Sequence, residues 1–228
     1  MAETAFLTGI YAITDPRFMA DDTQLLEKVE SALQGGLRLL QYRDKTADAS
    51  KALRQARLLA DLCHSYDCLL IINDDAELAR ASLADGVHLG QGDGCLRHAR
   101  ELLGTDALLG RTCHSSLDLA HQARQDGADY LAFGRCFVSG TKPLAPVADL
   151  GIFKQARPLG LPCVAIGGIT PELAGQVATA GAHMIAAVEG IFATANPALA
   201  VRQYHEACAP SFSFNLNEVQ HDPLSRTL

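Results

Sequence analysis

Tryptophan is absent from the 228 residues and methionine occurs only three times, while Lys and Arg number 19 against 26 Asp and Glu. The net charge of −7 and pI near 5.5 argue against the concentrated basic surface that duplex nucleic acid requires. A few placed cations still suffice for one anionic small molecule. No apolar run approaches the roughly 20 residues of a membrane helix. The opening Met1-Ala2-Glu3-Thr4-Ala5 lacks the basic and apolar regions of a signal peptide. Neither a CxxC pair, nor HExxH, nor a Cys/His zinc spacing occurs. Seven cysteines lie at 63, 68, 95, 113, 136, 163 and 208, several in apolar stretches. They read as packed thiols in a reducing compartment, and the chain as soluble and cytoplasmic.

What is present is a core and a repeated unit. Hydrophobic residues make up 48% of the chain, which excludes general disorder. An amphipathic helical pattern ends in glycine, a short apolar run follows, and polar residues come directly after it. Four helix-to-strand turns share this form: Gly35-Gly36 before Leu37-Leu40, Asp85-Gly86 before Val87-Leu89, Asp126-Gly127 before Tyr130-Phe133, and Ala180-Gly181 before Met184-Val188. Glycine there accepts the left-handed helix cap. Further apolar runs at Ile10-Ile13, Leu69-Ile72, Leu108-Leu109 with its flanks, and Cys163-Ile166 bring the strand candidates to about eight. Helices are expected at Asp22-Gln34 and Ser50-Ser65, and after the Thr170-Pro171 start signal. Short apolar strands alternating with helices predict a parallel sheet buried on both faces. A single (β/α)₈ TIM barrel over residues 1–207 fits best, with 208–228 expected as a flexible C-terminal extension; a doubly wound open sheet is the structural alternative.

In such a barrel the residues after each strand share one face, and that face carries the active site. They are Gln41, Arg43 and Lys45 after the second strand, Asn73-Asp74-Asp75 after the third, and Gln91-Gly92-Asp93 after the fourth. Thr112 and His114 follow the fifth, Ser139-Gly140-Thr141-Lys142 lie in the long Arg135-Ala148 loop, and Gly167-Gly168 follow the seventh. Asp74 and Asp93, from adjacent strands, suit a hard cation such as Mg²⁺; the competing reading makes Asp74 a helix cap. Gln41, Arg43 and Lys45 alternate and so share a side, where the two cations suit a pyrophosphate. The 139–142 segment and the paired glycines are anion-cradling chemistry. Cys113 and His88 read as a packed thiol and a satisfied core histidine.

The order of these motifs resembles the thiamine-phosphate synthase family. The segments that carry the resemblance are Gln41-Tyr42-Arg43-Asp44-Lys45, Asn73-Asp74-Asp75, Asp85-Gly86-Val87-His88-Leu89-Gly90-Gln91-Gly92-Asp93, Gly110-Arg111-Thr112-Cys113-His114, Ser139-Gly140-Thr141-Lys142 and Val164-Ala165-Ile166-Gly167-Gly168-Ile169. The match runs from about Tyr11 to Phe192. It implies a Mg²⁺-assisted transferase that joins 4-amino-2-methyl-5-pyrimidinylmethyl diphosphate to 4-methyl-5-(2-phosphooxyethyl)thiazole, giving thiamine phosphate and pyrophosphate. By the same resemblance, Asp74 and Asp93 bind the metal, and Arg43, Lys45, Lys142 and Thr112 act on the reacting groups. Gln41, Asn73, Ser139, Thr141, Gly168, Val188 and Glu189 complete the substrate contacts. Ser139 and Thr112 depart from the family's usual Thr and Ser, each keeping a hydroxyl. Glu189 departs more sharply, standing where Ser is common; its carboxylate is expected to turn away from the thiazole phosphate towards a rim cation. Partners are expected to be small molecules, with no nucleic acid and no membrane; the oligomeric state is not legible in the sequence. A related thiazole tautomerase, or a phosphate-binding barrel without catalysis, are the alternatives.

Overall fold

Each apolar run forms a parallel strand. These are β1 Gly9–Ile13, β2 Leu39–Tyr42, β3 Leu69–Asn73, β4 Gly86–Leu89, β5 Leu108–His114, β6 Tyr130–Gly134, β7 Cys163–Ile166 and β8 Met184–Ala187. Consecutive strands pair, and β8 returns to β1, so the sheet closes into the expected (β/α)₈ barrel. Around it lie α1 Asp22–Gln34, α2 Ala49–His64, α3 Ala76–Ser82, α4 Leu96–Leu103, α5 Leu117–Gln125, α6 Gly151–Ala156, α7 Pro171–Thr179, α8 Glu189–Phe192 and α9 Pro197–Glu218. The structure is a computed structural model that describes residues 7–46, 48–138 and 148–218. Among the described residues no helix is long and apolar enough to cross a membrane.

Strand alternation divides the core in two. Inward residues such as Tyr11, Ile13, Leu39, Ile71, Tyr130, Val164 and Met184 fill the barrel, with Leu7 packed among them. Outward residues such as Leu40, Leu70, Val87, Leu131 and Ile185 meet the helices. Asp21, Asp48, Asp75 and Ser116 cap α1, α2, α3 and α5 through their side-chain oxygens. Thr170 precedes Pro171 as anticipated, but its hydroxyl makes no capping bond.

Some boundaries differ from expectation. Strand β2 starts at Leu39 instead of Leu37, because the Leu37 N–H still bonds back to Ala32 O at the end of α1. Gly36, Gly127 and Gly181 have positive φ as anticipated, but Gly86 does not. The left-handed cap of α3 falls on Leu83, and Gly86 is needed because a Cβ there would overlap the Leu108 carbonyl. The domain boundary expected at 207/208 falls inside α9, where Cys208 is fully buried in the outer core. Residues 219–228 lie outside the described residues.

The end of the barrel opposite the strand C-termini is fastened by a repeated clamp. Asp85, Asp129 and His183, each just before an even-numbered strand, bond back to the preceding odd strand. Their backbone N–H groups donate to Leu70, Leu109 and Cys163 carbonyls. Their side chains accept the N–H of the same residues at 2.7, 2.7 and 3.1 Å.

Candidate active site

The rim is built from the strand ends, beginning with β2. Alternation sends Gln41 into the barrel, 3% exposed, and Tyr42 outward, where its hydroxyl donates to Gln55 at 2.8 Å. Arg43 and Lys45 continue on the Gln41 side. Arg43 lies 3.6 Å from Asp15, and Lys45 lies 2.5 Å from Asp74. Asp44, on the other side, holds Lys51 at 3.0 Å and the Thr46 N–H at 2.8 Å.

After β3, neighbouring aspartates divide their tasks. Asp75 caps α3 by accepting from the Leu78 N–H. Asp74 does not cap: it takes a left-handed φ of 67°, its N–H donates to His88 O on β4 at 2.8 Å, and its carboxylate faces the rim. There it accepts from Lys45 and, at 2.6 Å, from Asn73 Nδ2. Asp93 reaches over Gly90 to the same place; a Cβ on residue 90 would overlap the Asp93 carboxylate and lie 4.0 Å from that of Asp74. Burial works to raise Asp74, but bonds from Lys45, Asp93 and Asn73 outweigh it and hold its carboxyl below the usual range. Partial burial and the adjacent Asp74 hold Asp93 above it. Two carboxylates sharing one site over a bare glycine would offer hard oxygen donors to a divalent cation. Among the described residues no group of three or more His, Cys, Asp and Glu forms a fuller cage.

On β5, Thr112 Oγ1 lies 2.9 Å from His88 Nε2, and the strand bulges between Thr112 and His114. Gln91 and Arg111 tie the Asp93 loop to this strand through Thr112 O and Gly94 O. Cys113 is packed, its thiol pushed up to about 12 by burial. After β7, Gly167 and Gly168 have positive φ, and side chains there would overlap Arg135 and Val138. Cys136 and Phe137 N–H groups donate to Ile166 and Gly167 carbonyls at 2.9 Å each, so the paired glycines also seat the loop after β6. Ser139, Thr141 and Lys142 lie outside the described residues.

Val188 precedes α8, and Glu189 Oε1 meets Arg17 Nη2 at 3.2 Å. The carboxylate therefore pairs with a rim cation. Gly190 is explained by packing: a side chain there would overlap the Tyr204 hydroxyl, which donates to Ile169 O at 2.7 Å.

Sequence reading missed Asp15 and Arg17. Asp15 is 3% exposed, binds Arg17 through both oxygens at 3.0 and 2.8 Å, and caps the short turn Pro16–Phe18. Burial works to raise its carboxyl, but Arg17 and then Arg43 outweigh it and hold it low. Its signal was available, since Asp-Pro directly after β1 is both a helix start and a rim position. Tyr11 and Tyr130, also unread, lie just below the rim.

The model for the thiamine monophosphate synthase family matches residues 10–191. A thiamine-phosphate synthase from Marinobacter nauticus is 50% identical over 216 residues, covering 95% of this chain and 93% of that protein. Among solved structures, the thiamine phosphate pyrophosphorylase from Pyrococcus furiosus superposes with a TM-score of 0.79 at 29% identity, covering 94% of this chain and 98% of that one. The (S)-3-O-geranylgeranylglyceryl phosphate synthase from Thermoplasma acidophilum, at 17% identity and a TM-score of 0.64, shares the fold alone. The matched span takes in all eight strands and both rim aspartates, and on these grounds the chain belongs to the thiamine monophosphate synthase family.

Proposed function

We propose that this transferase joins 4-amino-2-methyl-5-pyrimidinylmethyl diphosphate to 4-methyl-5-(2-phosphooxyethyl)thiazole. The observation that carries the reading is the meeting of Asp74, Asp93, Asn73 and Lys45 at one mouth of the barrel, with Arg43 two residues before Lys45 in the segment after β2. In the reaction, the methylene C–O bond breaks with its electron pair leaving on the diphosphate. The electron-rich pyrimidine stabilises the resulting cation, and the thiazole nitrogen lone pair forms the new C–N bond. No protein nucleophile is required, which agrees with the packed, protonated Cys113. The protein's task is to hold the leaving charge and to align the two fragments.

Asp74 and Asp93 would hold Mg²⁺, which when bound supplies positive charge to the diphosphate oxygens. Lys45 and Arg43 add fixed cations beside it, and Asn73 orients Asp74 and the diphosphate. Gln41 and Thr112 face the pyrimidine diphosphate from β2 and β5. Family resemblance assigns Ser139, Thr141 and Lys142 to the two anions, with Lys142 on the departing pyrophosphate. Gly168 and the Val188–Gly190 backbone would take the thiazole phosphate, and the Glu189–Arg17 pair leaves that backbone unopposed by the carboxylate. The carboxylate pair and its cations disfavour a tautomerase, which has no diphosphate to bind.

Incubating the purified chain with both half-substrates and Mg²⁺ should yield thiamine phosphate and pyrophosphate in equal amounts. Isomerisation of the thiazole without condensation would support the tautomerase instead.

A further inference from the structure

Just below the rim, five side chains from five strands form one continuous hydrogen-bonded chain across the barrel. Gln41 Nε2 on β2 donates to the Tyr11 hydroxyl on β1 at 2.8 Å. The Tyr11 and Tyr130 hydroxyls are 2.9 Å apart, and the Tyr130 hydroxyl lies 3.2 Å from His88 Nδ1. His88 Nε2 then reaches Thr112 Oγ1 at 2.9 Å. Gln41, Tyr11, Tyr130 and His88 are buried. The His88 and Tyr130 rings stack with centroids 5.6 Å apart. Gly110 makes this contact possible, since a side chain there would overlap both Tyr130 and His88.

The protons in such a chain are not free to choose. Each hydroxyl carries one proton and accepts another. Because the Gln41 amide donates to Tyr11, the Tyr11 proton passes to Tyr130, and the Tyr130 proton passes to His88 Nδ1. Any other order strands a buried hydroxyl proton. His88 is thereby the neutral Nε2–H tautomer and donates to Thr112. The proton of Thr112 remains for the substrate at one end, and the side-chain Oε1 of Gln41 remains at the other.

We infer that Tyr11, Tyr130 and His88 are positioning residues, which fix Gln41 as an acceptor and Thr112 as a donor towards the pyrimidine diphosphate. The inference rests on the reaction proposed above for its substrate, but the tautomer it requires does not. In protein labelled with ¹⁵N at histidine, NMR should show His88 Nδ1 bare and Nε2 protonated in the free protein. Tyr130→Phe removes the donor to Nδ1 and should give mixed His88 tautomers, with kcat lowered roughly tenfold and KM changed less. Tyr11→Phe should lower kcat through Gln41 yet leave the His88 tautomer unchanged, because Tyr130 still donates to it. Thr112→Val removes the terminal donor and should lose activity. A protonated Nδ1 in the folded parent overturns the inference, as does Tyr130→Phe with kcat and tautomer both unchanged. The tautomer measurement needs no substrate, so an inactive parent with the expected tautomer would count against the reaction and not against the chain.

Discussion

Asp74 and Asp75 are adjacent and chemically identical, yet one closes a helix and the other faces the site. Local backbone decides between them. Asp75 has the extended conformation of a cap, while Asp74 is held left-handed by its N–H bond to His88 O. The sequence reads Asp74 towards the rim, with capping as its competing role; that Asp75 is the cap was not legible, because it depends on a bond from the next strand. Glu189 shows the opposite case. The sequence marks it as an awkward charge and expects it to point towards a rim cation, and the cation found is Arg17. Both partners are about half exposed, so the pair is worth no more than about 1 kcal/mol. Glu189→Ser should therefore leave the melting temperature nearly unchanged and KM for the thiazole phosphate within about threefold. A tenfold or larger fall in that KM would place the carboxylate against the phosphate and overturn this arrangement.

Elements were read best where apolar residues alone define them. Strand β7 matches the expected Cys163–Ile166 span. Strand β5 reaches His114, past the expected Leu108-Leu109 with its flanks, because its second half carries polar residues, Thr112 among them, that no apolar run marks. The clamps at the other end carry no signal in the sequence, since the Asp and His residues that make them look like ordinary turn polars. Their bonds carry a stability prediction. Asp129 accepts the buried Leu109 N–H at 2.7 Å and meets Arg100 at 2.6 Å. Asp129→Ala should destabilise the fold by about 2 kcal/mol, because an N–H group inside the sheet loses its partner. Turnover at saturating substrate should stay near that of the parent, the clamp being at the far end of the barrel. Chemical denaturation and steady-state kinetics on the same sample check both halves.

For the molecule as a whole, closure of the barrel and of α9 over it creates burial that no local pattern announces. Helix α9 packs on α1 and α7, burying Tyr204 and Cys208, so the boundary read at 208 falls inside it. His183 and His205 are half-buried, and this burial lowers both pKa values below the ordinary 6.5. His183 Nδ1 must stay bare to accept the Cys163 N–H. As pH falls through about 6.5, the unfolded chain takes up protons that the native histidines refuse, so stability declines. Thermal unfolding followed between about pH 7 and pH 5 should show a falling melting temperature. A flat or rising profile would contradict this assignment.

The central proposal is that Asp74 and Asp93 would hold a Mg²⁺ ion, which with the cations beside it would take the charge of a departing diphosphate. Turnover titrated with Mg²⁺ after chelation, in the parent and in Asp74→Asn and Asp93→Asn, tests it most directly. Chelation should abolish thiamine phosphate formation and Mg²⁺ should restore it in the parent. Each substitution should lower turnover by about 30-fold or more with the fold intact. Full turnover in excess chelator, or parent-like rates in both variants, would contradict the account.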